Sequence, residues 1–286
     1  MNFSAQHYIN RGVALSNDDV ARIAPAIFAG HAHESRSDRY AYIPTDTILN
    51  GMRKAGFEVV NVRQSNTRDE SREGFTKHMI RFRKSGYASA LQNVGDVFPE
   101  VVLVNSHDGT SSYQLMAGMF RRVCSNGLIV GAGQLDTVRV SHSGNVLDKV
   151  IEGSYRVLQA SERALIAPEA WSKIRLSESD QLALAEAAHV LRFGDAEGVT
   201  DTPILPRQLL AIRRQADTAN DLWTTFNVVQ ENTIRGGLSA RAPRRPGEYR
   251  GRRVTSRQVN GIDQDVRLNK ALWVLADRMA SLKQAA

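Results

Sequence analysis

The chain has 286 residues, of which 42% are apolar and 23% are charged, with 21 glycines and 8 prolines. This composition excludes a disordered or fibrous protein, and the length allows one large domain or two closely packed ones. The single cysteine, Cys124, excludes an internal disulfide and a cysteine-rich zinc site, and we expect it to be structural. The sequence shows neither an apolar run long enough to span a membrane nor the apolar core of a signal peptide, so we expect a cytoplasmic protein.

One segment carries the excess of positive charge. The formal net charge is +7, and residues 235–257 contain arginines opposed only by Glu248, so the rest of the chain is neutral on balance. A local excess of positive charge favours a polyanionic partner. The arginines of this segment are Arg235, Arg241, Arg244, Arg245, Arg250, Arg252, Arg253 and Arg257.

The first part of the chain predicts little regular structure and then a short helix. Residues 1–39 lack a clear periodicity and predict an irregular N-terminal segment, with a helical turn near Asp18–Phe28. Thr45 is suited to cap a helix N-terminus, and Gly56 is suited to follow a helix C-terminus. A short helix is therefore expected between Thr45 and Gly56.

Two strands with a basic face follow this helix. Apolar and basic residues alternate over Phe57–Arg63 and Phe75–Arg83, and this period of two is typical of half-buried strands. The apolar face of the second strand points to the core, and the other face is predicted to lie in solvent, where charge often serves solubility alone. This outer face carries Lys77, Arg81 and Arg83.

Two turn signals predict an antiparallel meander. Asp108-Gly109 lies between the β-prone runs Val101–Asn105 and Tyr113–Arg121, and Asn126-Gly127 precedes Leu128–Val130. Asp-Gly and Asn-Gly between such runs favour tight hairpins.

The C-terminal half predicts helices. Helical spacing extends over Ser143–Ile166 with Pro168 as its end, and over Ser177–Phe193, Pro206–Ile234 and Asp263–Leu282. The predicted fold class is therefore α+β, with an antiparallel β-meander preceded by a short helix and followed by a largely helical half. The predicted domains are an N-terminal segment 1–39, an α+β meander core 40–170, and a helical region 171–286 that contains an arginine-rich loop 235–257.

Candidate catalytic and metal-binding residues have simpler interpretations. His107, Asp108, Ser111 and Ser112 supply the residue types of a hydrolase triad, but neighbouring side chains diverge and Asp108 already belongs to a turn signal. His31 and His33 lack a third metal ligand at a telling distance and are interpreted as solvated. Gly131-Ala132-Gly133 lacks the rest of a dinucleotide-binding fingerprint. We therefore predict no catalytic residue, no metal site and no cofactor.

The arginines are the candidate binding residues. Arginine makes bidentate phosphate contacts and stacks on bases, whereas a solvated loop usually mixes glycine, serine, glutamate and lysine. Tyr249 or Tyr87 is a candidate for stacking on a base. The predicted nucleic-acid-binding residues are Arg241, Arg244, Arg245, Arg250, Arg252, Arg253 and Arg257, together with Lys77, Arg81 and Arg83.

Several stretches resemble one family. Asn105–Gly131, Tyr40–Arg83, Asn220–Gly237 and Leu268–Trp273 are similar to sequences filed as domain of unknown function 932, and the resemblance spans roughly residues 35–282. It implies a gene carried by phages, prophages or plasmids. The order of predicted elements is also similar in outline to phage single-strand annealing proteins, which is an analogy of fold only.

These observations lead to three hypotheses of different classes. The first is a non-enzymatic protein of a mobile element that binds single-stranded DNA, promotes annealing in recombination and forms homo-oligomers. The second is a protein-interaction or host-modulation factor whose arginine loop meets an acidic protein. The third is a hydrolase that uses His107 and Asp108.

Overall fold

The computed structural model describes residues 14–36, 42–86, 97–121, 127–129, 137–140, 145–195, 197–244 and 249–285. It divides into two compact units, residues 1–165 and 166–286, whereas the sequence placed the boundary after residue 170. Five predictions fall outside the described residues, namely those on Tyr87, Cys124, Asn126, Gly131–Gly133 and Arg245. Helices and an antiparallel sheet are both present, so the predicted α+β class is confirmed.

The first unit combines a six-stranded sheet with helices. Its helices are α1 Asn17–Ile23, α2 Thr45–Lys54 and α3 Val146–Ala164, with single 3₁₀ turns at Pro25–Phe28 and Glu70–Phe75. Its strands are β1 Phe57–Gln64, β2 His78–Lys84, β3 Val97–Asn105, β4 Tyr113–Arg121, β5 Gly127–Ile129 and β6 Thr137–Val140.

The predicted meander is present. The strands pair antiparallel in the order β1-β2-β3-β4-β5, and β6 also pairs with β4. Gly109, between β3 and β4, has a φ of +77°, a conformation that costs a residue with a side chain about 1–2 kcal/mol. The predicted β3–β4 hairpin is therefore present, but residues 106–112 connect its strands, which is a longer connection than the tight Asp108-Gly109 turn that the sequence predicts.

The N-terminal segment is more regular than predicted. Ser16 caps α1, and its hydroxyl accepts a hydrogen bond from the Asp19 amide while the Asp19 carboxylate accepts one from the Ser16 amide. This reciprocal capping box satisfies donors that a short helix would otherwise leave exposed. Residues 14–36 thus include a capped helix, and they group with the first unit.

Helices α2 and α3 pack on the sheet. α2 contacts β1, and α3 contacts β3, β4 and β6. Ile48 and Leu49 of α2, Val150 of α3 and the strand residues Phe82 and Leu115 all have no exposed surface. Burial of these side chains, each contributing about 1.5–3 kcal/mol, is the main source of stability for this unit.

The second unit is largely helical. Its helices are α4 Ile166–Ser172, α5 Glu178–Phe193, α6 Leu222–Arg235 and α7 Ile262–Gln284, with 3₁₀ turns at Pro206–Leu210 and Gln215–Asp217 and a two-stranded ribbon of β7 Ser239–Arg241 and β8 Arg253–Thr255. Ser177 caps α5 with Asp180 as its partner, as predicted. Within the described ranges, no helix has both the length and the apolar character needed to cross a bilayer.

Two helix predictions were wrong. Pro168 does not end the helix before it: α3 ends at Ala164, and Pro168 lies in the first turn of α4, where its missing N–H costs nothing. Residues 206–234 do not form one helix, because Asp221 caps a new helix and accepts a hydrogen bond from the Thr224 amide at 2.8 Å.

Helix α6 is the centre of the second unit. All its residues except Arg235 are buried, and its aromatic side chains pack with Trp171 and Trp273, whose ring centroids are 4.7 Å apart. Many of its polar groups have partners: Gln230 donates to Asn269, and Asn232 donates to the carbonyl groups of Leu209 and Ala211. Two buried oxygens, Asn227 Oδ1 and Gln230 Oε1, have no hydrogen-bond partner within the described residues. The bonds that do form explain why a helix with so many polar residues tolerates burial.

Candidate nucleic-acid interface

The arginine-rich segment is a β-ribbon. Strands β7 and β8 pair antiparallel, with Ser239 opposite Thr255, Ala240 opposite Val254 and Arg241 opposite Arg253. The sequence predicted an irregular loop over residues 235–257, and this was wrong for the residues that pair. We call residues 239–244 and 249–257 the arginine ribbon.

The base of the arginine ribbon is tied to the helices on either side of it. The Ser256 amide donates to the Leu238 carbonyl at 2.7 Å, and the Val259 amide donates to the Ile234 carbonyl at 2.8 Å. The Arg192 guanidinium donates to the Arg257 carbonyl at 2.9 Å. The ribbon therefore starts from a fixed base.

The ribbon brings positive charges together without neutralising them. Arg241 and Arg253 face each other across the two strands, and like charges in this position are destabilising. Among the described residues, no carboxylate forms an ion pair with the exposed arginines of the ribbon. These exposed residues are Arg241, Arg244, Arg250, Arg252, Arg253 and Arg257.

Tyr249 gives the ribbon an aromatic surface. Its side chain is 86% exposed, and the Arg250 guanidinium lies 5.6 Å from the centre of its ring. An exposed large aromatic ring beside a cation is suited to stack on an unpaired base. The second stacking candidate, Tyr87, lies outside the described residues.

Arg235 belongs to a different group of charges. It pairs with buried Glu231 at 3.0 Å, and Arg214 pairs with the same carboxylate at 2.6 Å and with Asp217 at 2.7 Å. These ion pairs lie at the C-terminal end of α6, where they satisfy a buried carboxylate. Arg235 therefore has a structural role and is not counted among the candidate binding residues, although it belongs to the arginine-rich segment.

The predicted basic face of the meander was wrong. Arg81 and Arg83 are only 5% and 3% exposed, and both pair with Glu100 of β3, at 2.6 Å and 2.7 Å. Arg81 also donates to the carbonyl groups of Met119 and Leu128. Strand alternation correctly separates the two faces, but both faces are covered, so neither arginine is available to a phosphate.

Lys77, the third cation of the predicted basic face, is less buried than Arg81 and Arg83. Lys77 lies just before β2 and is half-buried.

Arg83 is packed between two aromatic rings. Its guanidinium lies 5.3 Å from the centre of the Phe98 ring and 4.8 Å from the centre of the Phe120 ring. These contacts stabilise a buried cation that shares one carboxylate with Arg81.

A buried polar cluster lies at one end of the sheet and was not predicted. The Thr45 hydroxyl lies 3.1 Å from His78 Nε2, 3.1 Å from His107 Nε2 and 3.0 Å from Asn105 Nδ2. The Tyr113 hydroxyl is also close to it and donates to the Ile43 carbonyl. We call these five side chains, of Thr45, His78, Asn105, His107 and Tyr113, the threonine cluster.

The hydrogen-bond partners of the threonine cluster determine which of its atoms carry protons. His78 Nδ1 lies 3.1 Å from the Thr76 carbonyl, which can only accept, so Nδ1 carries the proton and Nε2 accepts from Thr45. Thr45 then accepts from Asn105 and from His107 Nε2. Burial, with the neighbouring His107 second, lowers the pKa of His78 to about 3. The His78 imidazole is therefore neutral at pH 7, and Thr45 is the residue through which the two imidazoles are connected.

The structure separates the residues of the hydrolase hypothesis. His107 is fully buried with its Nε2 on Thr45, whereas the Asp108 carboxylate accepts from the Thr110 amide at 3.0 Å and from its hydroxyl at 2.7 Å. Burial alone would raise the pKa of Asp108, but the hydrogen bonds from Thr110 hold it below its usual value. In this geometry Asp108 stabilises the turn, and His107 stabilises the threonine cluster.

One of the two N-terminal histidines differs from the prediction that both are solvated. His31 is exposed, but His33 is only 6% exposed and its Nδ1 lies 2.8 Å from the Ser35 hydroxyl. Both rings lie near Phe75. In the part of the chain that the structure describes, no group of three or more histidine, cysteine or acidic residues is placed to hold a metal ion.

Comparisons with known proteins agree on one family. Residues 32–273 match the family described as Domain of unknown function (DUF932). The chain is 43% identical over 282 residues to two proteins of Escherichia coli (strain K12), "UPF0380 protein YfjQ" and "UPF0380 protein YafZ", with 99% of this chain and 97% of each relative covered. No solved structure matches the chain. The resemblance carried by the sequence motifs is thereby confirmed, and the chain belongs to the Domain of unknown function (DUF932) family.

Proposed function

We propose that this protein binds single-stranded DNA through the arginine ribbon and promotes annealing of complementary strands in the recombination of mobile elements, without breaking or forming covalent bonds. The observation that carries the proposal is the pairing of Arg241 with Arg253 in a ribbon of exposed arginines. The repulsion between these two arginines lowers the stability of the unbound protein, and a bound polyanion would reduce this repulsion.

The geometry of the ribbon favours phosphate contacts. Arg244, Arg250 and Arg252 are exposed, and their guanidinium groups donate no hydrogen bond within the described chain. Free guanidinium groups can make bidentate contacts to phosphate oxygens. Binding of this kind releases counterions and does not depend on base sequence.

Tyr249 favours a single strand over a duplex. Bases of a duplex are stacked on each other, and an exposed ring can stack only on a base that is unpaired or flipped out. With its ring 86% exposed, Tyr249 can hold one base while the arginines hold the phosphates on either side. A strand held in this way keeps its other bases available for pairing, which annealing requires, and an oligomer would lengthen the bound stretch.

The proposal is tested by the salt dependence of binding. Fluorescence anisotropy measures the affinity for labelled oligo-dT over a series of salt concentrations, for the wild type and for the triple variant Arg244→Ala, Arg250→Ala, Arg252→Ala. Each lost phosphate contact flattens the slope of log K against log salt by about 0.7, so we expect the variant slope to be flatter by about 2.

The matched control removes the same charge elsewhere. Arg207, Arg267 and Arg278 are exposed residues of the same unit outside the ribbon, and the triple alanine variant of these arginines should keep the wild-type slope. Equal slopes for the two variants would place the binding site elsewhere. If the wild type binds no oligonucleotide at low salt, the proposal fails, and binding to an acidic protein becomes the explanation of the ribbon.

A further inference from the structure

A pocket with a cationic rim lies in the first unit, between β6 and α3. Its volume is about 270 Å³, just below the roughly 300–1,000 Å³ of pockets that take drug-sized ligands. Its rim is formed by the exposed side chains of Arg139, Lys149, Glu152 and Arg156. The pocket is therefore large enough for one charged group attached to a small organic moiety.

The floor of the pocket is apolar and follows from a close helix–strand contact. Val138, Val140 and Gly153 line it. A Cβ atom at Gly153 would lie 2.8 Å from a methyl carbon of Leu115 and 3.1 Å from one of Val138. Only glycine allows α3 to come this near to β6, and the approach sets the distance between the cations of the two elements.

The rim has more positive charge than its own carboxylate can neutralise. Arg156 pairs with Glu152 at 3.8 Å, and both side chains are largely exposed, so this ion pair contributes little. The Arg139 side chain forms no ion pair or hydrogen bond with any residue of the described chain. The described residues of the rim comprise three cations and one carboxylate, which is a formal excess of positive charge.

We infer that this pocket binds a phosphate monoester. A phosphomonoester carries about −1.5 to −2 at neutral pH and can accept hydrogen bonds from both Arg139 and Arg156, whereas a carboxylate or an internal phosphodiester carries only about −1. Two guanidinium groups offer bidentate contacts to its oxygens, and the apolar floor accepts the organic part of the ester. The free 5′-phosphate of a DNA strand and a mononucleotide share this chemistry.

The inference stands on the pocket alone and does not depend on the arginine ribbon. Isothermal titration with inorganic phosphate and with thymidine monophosphate tests it directly. We expect the double variant Arg139→Gln, Arg156→Gln to bind thymidine monophosphate at least about tenfold more weakly than the wild type. The matched control is Arg163→Gln, an exposed residue of α3 that does not line the pocket, and its affinity should be unchanged.

A second variant changes the affinity in the opposite direction. Glu152→Gln removes the one carboxylate among the described residues of the rim, so this variant should bind thymidine monophosphate more tightly than the wild type. A purely structural role of Glu152 would not increase the affinity. The inference is overturned if neither ligand binds the wild type at about 10 mM in low salt, or if the double variant binds as the wild type does.

The source of the phosphate is identified with oligonucleotides. Oligo-dT with a 5′-phosphate and oligo-dT with a 5′-hydroxyl are compared on the ribbon triple variant, which lacks the proposed ribbon contacts. Tighter binding of the phosphorylated strand, lost on adding Arg139→Gln and Arg156→Gln, assigns the pocket to strand ends. Equal binding of both strands, with thymidine monophosphate still bound, assigns it to a free phosphorylated compound.

Discussion

We predict that the Thr45 hydroxyl contributes more to stability than any other single hydroxyl group of the described residues. Its oxygen contacts His78, His107 and Asn105 within 3.1 Å, and the residue has no exposed surface. Thr45→Val keeps the shape of the side chain and removes only this oxygen. Three polar atoms then lose their shared partner in a place that water does not reach.

The expected loss follows from the cost of such atoms. Each buried polar atom without a partner costs about 1–3 kcal/mol, so Thr45→Val should lower the free energy of unfolding by about 3 kcal/mol or more. Thr45→Ser keeps the hydroxyl and removes one methyl group, which should cost about 1 kcal/mol. The difference between the two variants isolates the hydrogen bonds from the packing.

Urea denaturation at neutral pH, followed by circular dichroism, measures both variants; tryptophan fluorescence is unsuitable, because Trp171, Trp223 and Trp273 lie in the second unit. The serine variant is the matched control, because both substitutions are made at the same backbone position and change few atoms. If Thr45→Val is as stable as Thr45→Ser, or more stable, the hydroxyl is not the centre of the cluster, and the reasoning is refuted.

Three further predictions concern other parts of the molecule. Glu100→Gln should lower the free energy of unfolding by about 3–5 kcal/mol, because it leaves two buried guanidinium groups without their carboxylate, and a denaturation midpoint equal to that of the wild type would contradict the buried pairing. The pKa of His78 is about 3 in the folded protein against an ordinary 6.5, so between these pH values the unfolded chain takes up a proton that the folded chain does not. Stability should therefore fall as the pH is lowered from 6.5 towards 3, by up to about 1.4 kcal/mol per pH unit. The denaturation midpoints of the wild type and of His78→Gln should converge as the pH falls over this range, and parallel curves would argue against a neutral His78. Tyr249→Ala should weaken oligo-dT binding by about 1–3 kcal/mol and Tyr249→Phe should keep it, since only the ring is needed for stacking, whereas equal affinities for the two variants would remove Tyr249 from the interface.

Local signals in the sequence correctly predicted the elements that depend on neighbouring residues. The β3–β4 hairpin lies where Asp108-Gly109 predicts it and Ser177 caps its helix, because chain reversals and caps depend on a few neighbouring residues. The concentration of arginines between residues 235 and 257 is also a property of the sequence alone. The sequence thus determined the α+β class, the family and the place of the charged segment.

Tertiary structure decided which charged and polar residues reach solvent. Alternation along β2 separates Arg81 from Ile80, but it carries no information on whether the second face of the sheet is covered, and here Glu100 pairs with Arg81 from another strand. Thr45 reads as a helix cap in sequence, whereas in the fold its hydroxyl connects side chains that lie up to 68 residues away. The cations of the pocket, Arg139 and Arg156, come from a strand and a helix with no common motif. Contacts between residues far apart in the chain depend on how the elements pack, and that packing is absent from any local pattern.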